Sequence, residues 1–110
     1  MSAITTHVLD IAGGRPAAGI TIRLERPTGD GAWTECARGV TDTDGRVSDL
    51  LPAGQPASPG TYRLVFETSS YFPDGFYPEV PVVFEIRNPG DHHHVPLLLS
   101  PHGYSTYRGS

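Results

Sequence analysis

The chain has a single cysteine, Cys36. No disulfide can form within it, and a reducing, cytoplasmic setting is expected. It has no surplus of positive charge, because 8 Lys and Arg stand against 12 Asp and Glu for a net charge of −4. Without a basic stripe to track phosphates, nucleic acid is excluded as the expected partner. No apolar run approaches the roughly 20 residues that a membrane-spanning helix needs, so no membrane partner is expected. The first residues carry no basic segment followed by an apolar one, so no secretory signal is expected. There is no internal repeat and no low-complexity tract.

What the chain does have is turn chemistry and β-formers. Its 13 Gly and 11 Pro in 110 residues separate short runs rich in Val, Ile, Thr and Tyr. That pattern predicts an all-β fold, a two-sheet sandwich of seven or eight strands with little or no helix. A length of 110 residues is that of one domain, residues 1–110, with one modest core.

Strands are predicted at 3–11, 20–26, 33–40, 61–67, 79–87, 95–99 and 104–108, with a short one at 46–48. Side chains alternate along a strand. Ile4, Thr6 and Val8 therefore share one face, and Thr5, His7 and Leu9 the other. Ile20, Ile22 and Leu24 turn inward, and Thr21, Arg23 and Glu25 outward. Gly13-Gly14-Arg15-Pro16 reads as a turn, and so does Asp42-Thr43-Asp44-Gly45-Arg46, where Asp-Gly supplies the left-handed position. Pro81, inside a predicted strand, belongs at a sheet edge or a bulge.

Polar groups that break this pattern are candidates for chemistry. His7 lies in mid-strand beside Leu9; by default it is a solvated strand histidine. Arg46 follows a tight turn and by default is simply exposed. In the triplet His92-His93-His94, alternation puts His92, His94, Pro96 and Leu98 on one face. His93, Val95, Leu97 and Leu99 fall on the other. Neighbouring strand residues point apart, so the three imidazoles cannot converge on one metal, and no metal is expected. The stretch Tyr104 to Tyr107 is strand-prone and continues the hairpin that begins at Val95.

These pieces together resemble the transthyretin-like 5-hydroxyisourate hydrolase family. The residues that carry the resemblance are Thr6-His7-Val8-Leu9-Asp10 with Gly14-Arg15-Pro16-Ala17, then Thr41-Asp42-Thr43-Asp44-Gly45-Arg46. Phe76-Tyr77-Pro78-Glu79-Val80 follows. The most specific stretch is Pro96-Leu97-Leu98-Leu99-Ser100-Pro101 ending in Tyr107-Arg108-Gly109-Ser110. The resemblance covers the whole chain and implies two four-stranded sheets and a homotetramer, a dimer of dimers. It places sites in a cleft at the dimer–dimer interface. It implies His7, Arg46, His94 and Ser110 as the catalytic set, and Tyr107, Arg108 and Gly109 as further substrate-binding residues. No cofactor is implied.

The implied reaction opens the ring of 5-hydroxyisourate to 2-oxo-4-hydroxy-4-carboxy-5-ureidoimidazoline, a step of urate degradation. The residue types suit it. Histidine can take a proton from water near neutral pH, and a guanidinium can hold the charge that develops on a carbonyl oxygen. Transthyretin itself, a carrier of hydrophobic hormones in the equivalent channel, supplies the competing expectation; a carrier would want apolar walls and no general base. The chain departs from the family twice. His93 stands where members usually have Tyr. Residues 69–77 are too short and too rich in Pro and Gly for the helix that members usually carry there.

Overall fold

The computed structural model describes residues 2–110. Among these residues nine strands are present: β1 (Ile4–Asp10), β2 (Arg15–Pro16), β3 (Thr21–Pro27), β4 (Trp33–Val40), β5 (Arg46–Val47), β6 (Gly60–Phe66), β7 (Val80–Ile86), β8 (His93–Ser100) and β9 (Gly103–Thr106). A single 3₁₀ turn, Thr68–Ser70, separates β6 from β7. Pro73 and Pro78 bracket the residues that follow, so no longer helix can form there. Among the described residues no helix is long and apolar enough to cross a membrane.

The strands form two sheets. One is four-stranded in the order β4-β3-β6-β7. The other runs β2-β1-β8-β9, and β5 pairs with β1 as a fifth member. The fifth strand arises because Gly13 to Pro16 is not only a turn: Leu9 pairs with Pro16 and Asp10 with Arg15. A proline costs nothing there, since β2 is an edge and its missing N–H faces outward. Pro81 is likewise on an edge strand, β7, opposite Val65.

The alternation read from the sequence describes the core. Ile4 and Val8 of β1, Ile22 and Leu24 of β3, Leu64 and Phe66 of β6, Val80 and Ile86 of β7, and Val95, Leu97 and Leu99 of β8 are buried together between the sheets. A fully buried aliphatic side chain contributes about 1.5–3 kcal/mol relative to an exposed one, so this shared interior dominates the favourable side of folding. Glu25 departs from the expected pattern. It lies on the outer face but is only 8% exposed, because Arg63 Nη2 stands 2.7 Å from its carboxylate. Arg63 in turn lies over the Trp33 ring, 4.4 Å from its centroid.

Asp10 closes the end of β1 that continues from the site. It is 3% exposed. Burial alone would raise its pKa, but donors outweigh that cost: the Gly13 N–H, the Tyr71 hydroxyl and the Ala12 N–H, with the Arg15 charge adding to them. The net result is a carboxyl held below its ordinary value. The Gly13 N–H and the Tyr71 hydroxyl each donate at 2.8 Å. One carboxylate thus ties β1, the turn after it and the segment beyond the 3₁₀ turn together.

Candidate active site

The site forms where three elements meet on the outer face of the five-stranded sheet. The first pairing is parallel: β1 lies beside β8, with Thr5 opposite His94 and His7 opposite Pro96. The second brings β5 to the other side of β1, with His7 opposite Arg46. His7 therefore sits between the strand that carries His94 and the strand that carries Arg46. Nothing in the chain order announces this, since 87 residues separate Thr5 from its β8 neighbourhood at His92.

Arg46 is placed by its turn. The Asp42 carboxylate accepts the N–H groups of Asp44 at 2.9 Å and Arg46 at 3.0 Å. Gly45 has φ +75°, and an added Cβ would lie 2.4 Å from the Val8 carbonyl oxygen. That closeness lets the Gly45 carbonyl accept the Val8 N–H at 2.7 Å. Only glycine can take this backbone angle and this approach without strain. The turn is thereby fixed to β1, and the exposed Arg46 projects from it.

The end of the chain closes the site from the other side. The strand predicted at 104–108 stops at Thr106, whose hydroxyl donates to the Pro96 carbonyl at 2.7 Å. The backbone then returns to β8 as an isolated bridge between Gly109 and His94, and the Gly109 N–H donates to the His94 carbonyl at 2.8 Å. At Gly109 an added Cβ would lie 2.5 Å from Cδ2 of the His94 ring. The absent side chain is what lets the last turn lie on the imidazole.

Between these parts is a cleft of about 240 Å³, lined by Arg46, His92, His94, Ser110, Thr5 and residues of β5. Arg46, His94 and Ser110 are thus brought to one cavity. His7 is half-buried next to it, near enough that its charge bears on His94. Tyr107 and Arg108 do not line this cleft: they line a second hollow of about 210 Å³, which His94 also borders, against Val82, Val83 and Phe84 of β7. Arg108 also approaches Asp91, at 3.8 Å. His93 turns inward at 5% exposure, and its Nδ1 lies 3.0 Å from the Asp91 carbonyl. Among the described residues, no group of three or more His, Cys, Asp or Glu is arranged to hold a metal ion.

The electrostatics of the cleft favour a neutral His94. Burial of the ring comes first, followed by the positive charges of His92, His7 and Arg46, and together they hold its pKa below the ordinary 6.5 despite the contact with Thr5. A neutral imidazole that shares a cleft with a guanidinium can accept a proton while the guanidinium receives an anion. Sequence reading passed over Thr5. The signal for it was its place two residues before His7 on the same strand face.

A family model described as the HIUase/Transthyretin family matches residues 4–109. A 5-hydroxyisourate hydrolase of Salmonella dublin is 48% identical over 97% of this chain and 80% of its own length. The solved 5-hydroxyisourate hydrolase of Klebsiella pneumoniae superposes with a TM-score of 0.83 at 36% identity, covering 97% of this chain and 98% of that one. Sea bream transthyretin, solved with thyroxine, superposes with a TM-score of 0.88 at 32% identity, covering 98% and 95%. Sandwich, cleft and match across nearly the whole length lead to one conclusion: the chain belongs to the HIUase/Transthyretin family.

Proposed function

We propose that this chain is a hydrolase that opens the ring of 5-hydroxyisourate, using His94 to activate water and Arg46 to hold the developing charge. The observation that carries the reading is the placement of Arg46, His94 and Ser110 around one cleft of about 240 Å³. The enzymatic relatives named above support the substrate.

His94 accepts a proton from water as the oxygen attacks a ring carbonyl. The planar guanidinium of Arg46 orients the planar substrate and stabilises the oxyanion, because its paired N–H groups match flat acceptors. Ser110 hydrogen-bonds water or substrate. His7 lies beside both partners and holds the substrate or supplies a proton to the departing ring nitrogen. Tyr107 and Arg108 act indirectly, by holding the turn that carries Gly109 and Ser110 against His94.

A carrier of hydrophobic ligands would need an apolar cavity. This one presents a guanidinium, two imidazoles and the hydroxyl residues Thr5, Thr6, Ser48 and Ser110, and a ligand without polar groups would offer the guanidinium nothing to pair with.

The same proposal includes a homotetramer with the cleft at the interface between dimers. Its support is an apolar pair on the same sheet: Leu9 and Leu98 lie opposite one another in adjacent strands and remain only half-buried. The test of function is the ultraviolet decay of 5-hydroxyisourate, generated by oxidising urate, with and without protein. Acceleration is expected; a decay equal to the blank would reject the reading.

A further inference from the structure

We infer that Thr5 is a positioning residue that links His94 to His92 in a proton relay, so that the proton taken in the cleft leaves through the solvent-facing His92. The inference rests on the proposed role of His94 as the base and adds two residues to it.

The geometry is specific. Thr5 is 7% exposed and lies beneath both imidazoles. Its Oγ1 is 2.8 Å from Nδ1 of His94 and 2.9 Å from Nε2 of His92. The two rings are stacked with centroids 6.3 Å apart, too far for a direct hydrogen bond, so the hydroxyl is their connection. A hydroxyl has one proton to donate and lone pairs to accept. It can donate to one neutral imidazole while accepting from the other, and it cannot donate to both. The tautomers of the two histidines are therefore locked to each other.

The base role selects one of the two arrangements. If Nε2 of His94 takes the water proton, that nitrogen must carry a lone pair, so the neutral ring holds its proton on Nδ1. The Nδ1–H then donates to Thr5, and the Thr5 hydroxyl donates to Nε2 of His92, whose own proton sits on its Nδ1. When water attacks, its O–H bond breaks and the proton joins Nε2 of His94. The Nδ1 proton of His94 passes to Oγ1 of Thr5, and the Thr5 proton passes to Nε2 of His92. His94 is left neutral, and the positive charge stands on His92.

That displacement has an electrostatic reason. An imidazolium at His94 would face Arg46 from β5 and His7 from β1, with His92 in the segment just before its own strand. Arg108 and Asp91 pair with each other further out, at 3.8 Å. His92 is exposed, so a cation there is solvated by water. The reverse passage returns a proton to Nδ1 of His94 when Nε2 gives one to the leaving nitrogen.

The test uses the intact protein in two measurements. Histidine ¹⁵N–¹H spectra of the wild type near pH 8 should show His94 and His92 both as Nδ1–H tautomers, the less common form in water. Kinetics with 5-hydroxyisourate should show Thr5→Val lowering kcat about 10-fold or more with KM within about twofold, less than the roughly 10²–10⁴-fold of a direct acid or base because Thr5 acts through His94. Thr5→Ser should restore kcat to within a few-fold. Adding His92→Gln to Thr5→Val should cost nothing further, because one chain has already been cut. If the wild type opens no ring, the reading of the reaction has failed and the relay falls with it. If the wild type is active but Thr5→Val keeps full kcat, the relay alone is overturned; if the wild type is active and His94 is the Nε2–H tautomer, the relay falls together with Nε2 of His94 as the base, and the ring-opening activity stands. Should Thr5→Val fail to fold, the wild-type tautomers decide.

Discussion

Arg46 extends from a two-residue strand and is exposed, so its head group can be removed without opening the core. Arg46→Ala should lower kcat about 10²-fold or more with little change in melting temperature, the range seen for donors to an oxyanion. Arg46→Lys should recover little of it, because an ammonium is a point charge and not a planar fork. Full activity in the lysine variant would show that fork geometry is irrelevant. His94 makes a prediction about pH. Its pKa lies below 6.5 through burial first and then through neighbouring positive charge, so the acid limb of kcat/KM should fall below pH 6.5; a limb above that value would contradict the assignment. The same shift acts on stability with a definite sign. The fold favours the neutral ring, so this contribution is full above pH 6.5. It is lost as pH falls through the lowered folded value, and pH-dependent melting of His94→Ala should be flatter over that interval. At this scale the sequence was informative about residue types. Alternation and spacing left His7 and Arg46 as ordinary surface groups, and only the family resemblance implied a role for them. Their significance comes from being opposite one another in β1 and β5.

Strand β8 shows what alternation can and cannot reveal. Period-two reading put His93 with Val95, Leu97 and Leu99, and those four side chains are buried; it put His94 on the other face, where the cleft is. A slip of one residue would have exchanged the two histidines. The apolar core positions hold the register, so period two alone separates the two faces. What alternation could not show was the parallel pairing of β1 with β8, the contact that sets Thr5 under His94. Parallel neighbours are joined by long crossovers and leave no local signal. The final turn was also misread as strand through 108, whereas the ladder ends at Thr106 and Gly109 folds back on His94. That contact can be tested directly. Gly109→Ala would place a methyl 2.5 Å from Cδ2 of His94 and 3.2 Å from Pro96, so either the ring or the last turn must shift. A displacement of about 1 Å at a reacting group can cost 10²-fold in rate. We expect Gly109→Ala to lose activity on that order while its melting temperature changes little, since residues 107–110 lie outside the core. Unchanged kinetics would show that the close approach has no role in holding the base.

For the whole molecule, the β-sandwich was legible because turn residues and β-formers alternate at regular spacing along the chain. The buried Glu25 was not, because its cover comes from Arg63 and Trp33 of other strands. The proposed tetramer also belongs to this scale. Leu9 and Leu98 sit side by side, half-buried, on the sheet that carries the cleft, and an apolar pair there is best explained by a second copy of the chain. Light scattering at micromolar concentration should give four times the 11.8 kDa chain mass, and a fully active monomer would contradict an interface site. The central claim remains that the cleft between β1, β5 and the last turn opens a ring by means of His94. Its most direct measurement is the rate of 5-hydroxyisourate decay in the ultraviolet, compared between wild type and His94→Ala proteins that melt at the same temperature. The account predicts rapid decay with the wild type and a loss of about 10²-fold or more in the variant. A variant as fast as the wild type would contradict it.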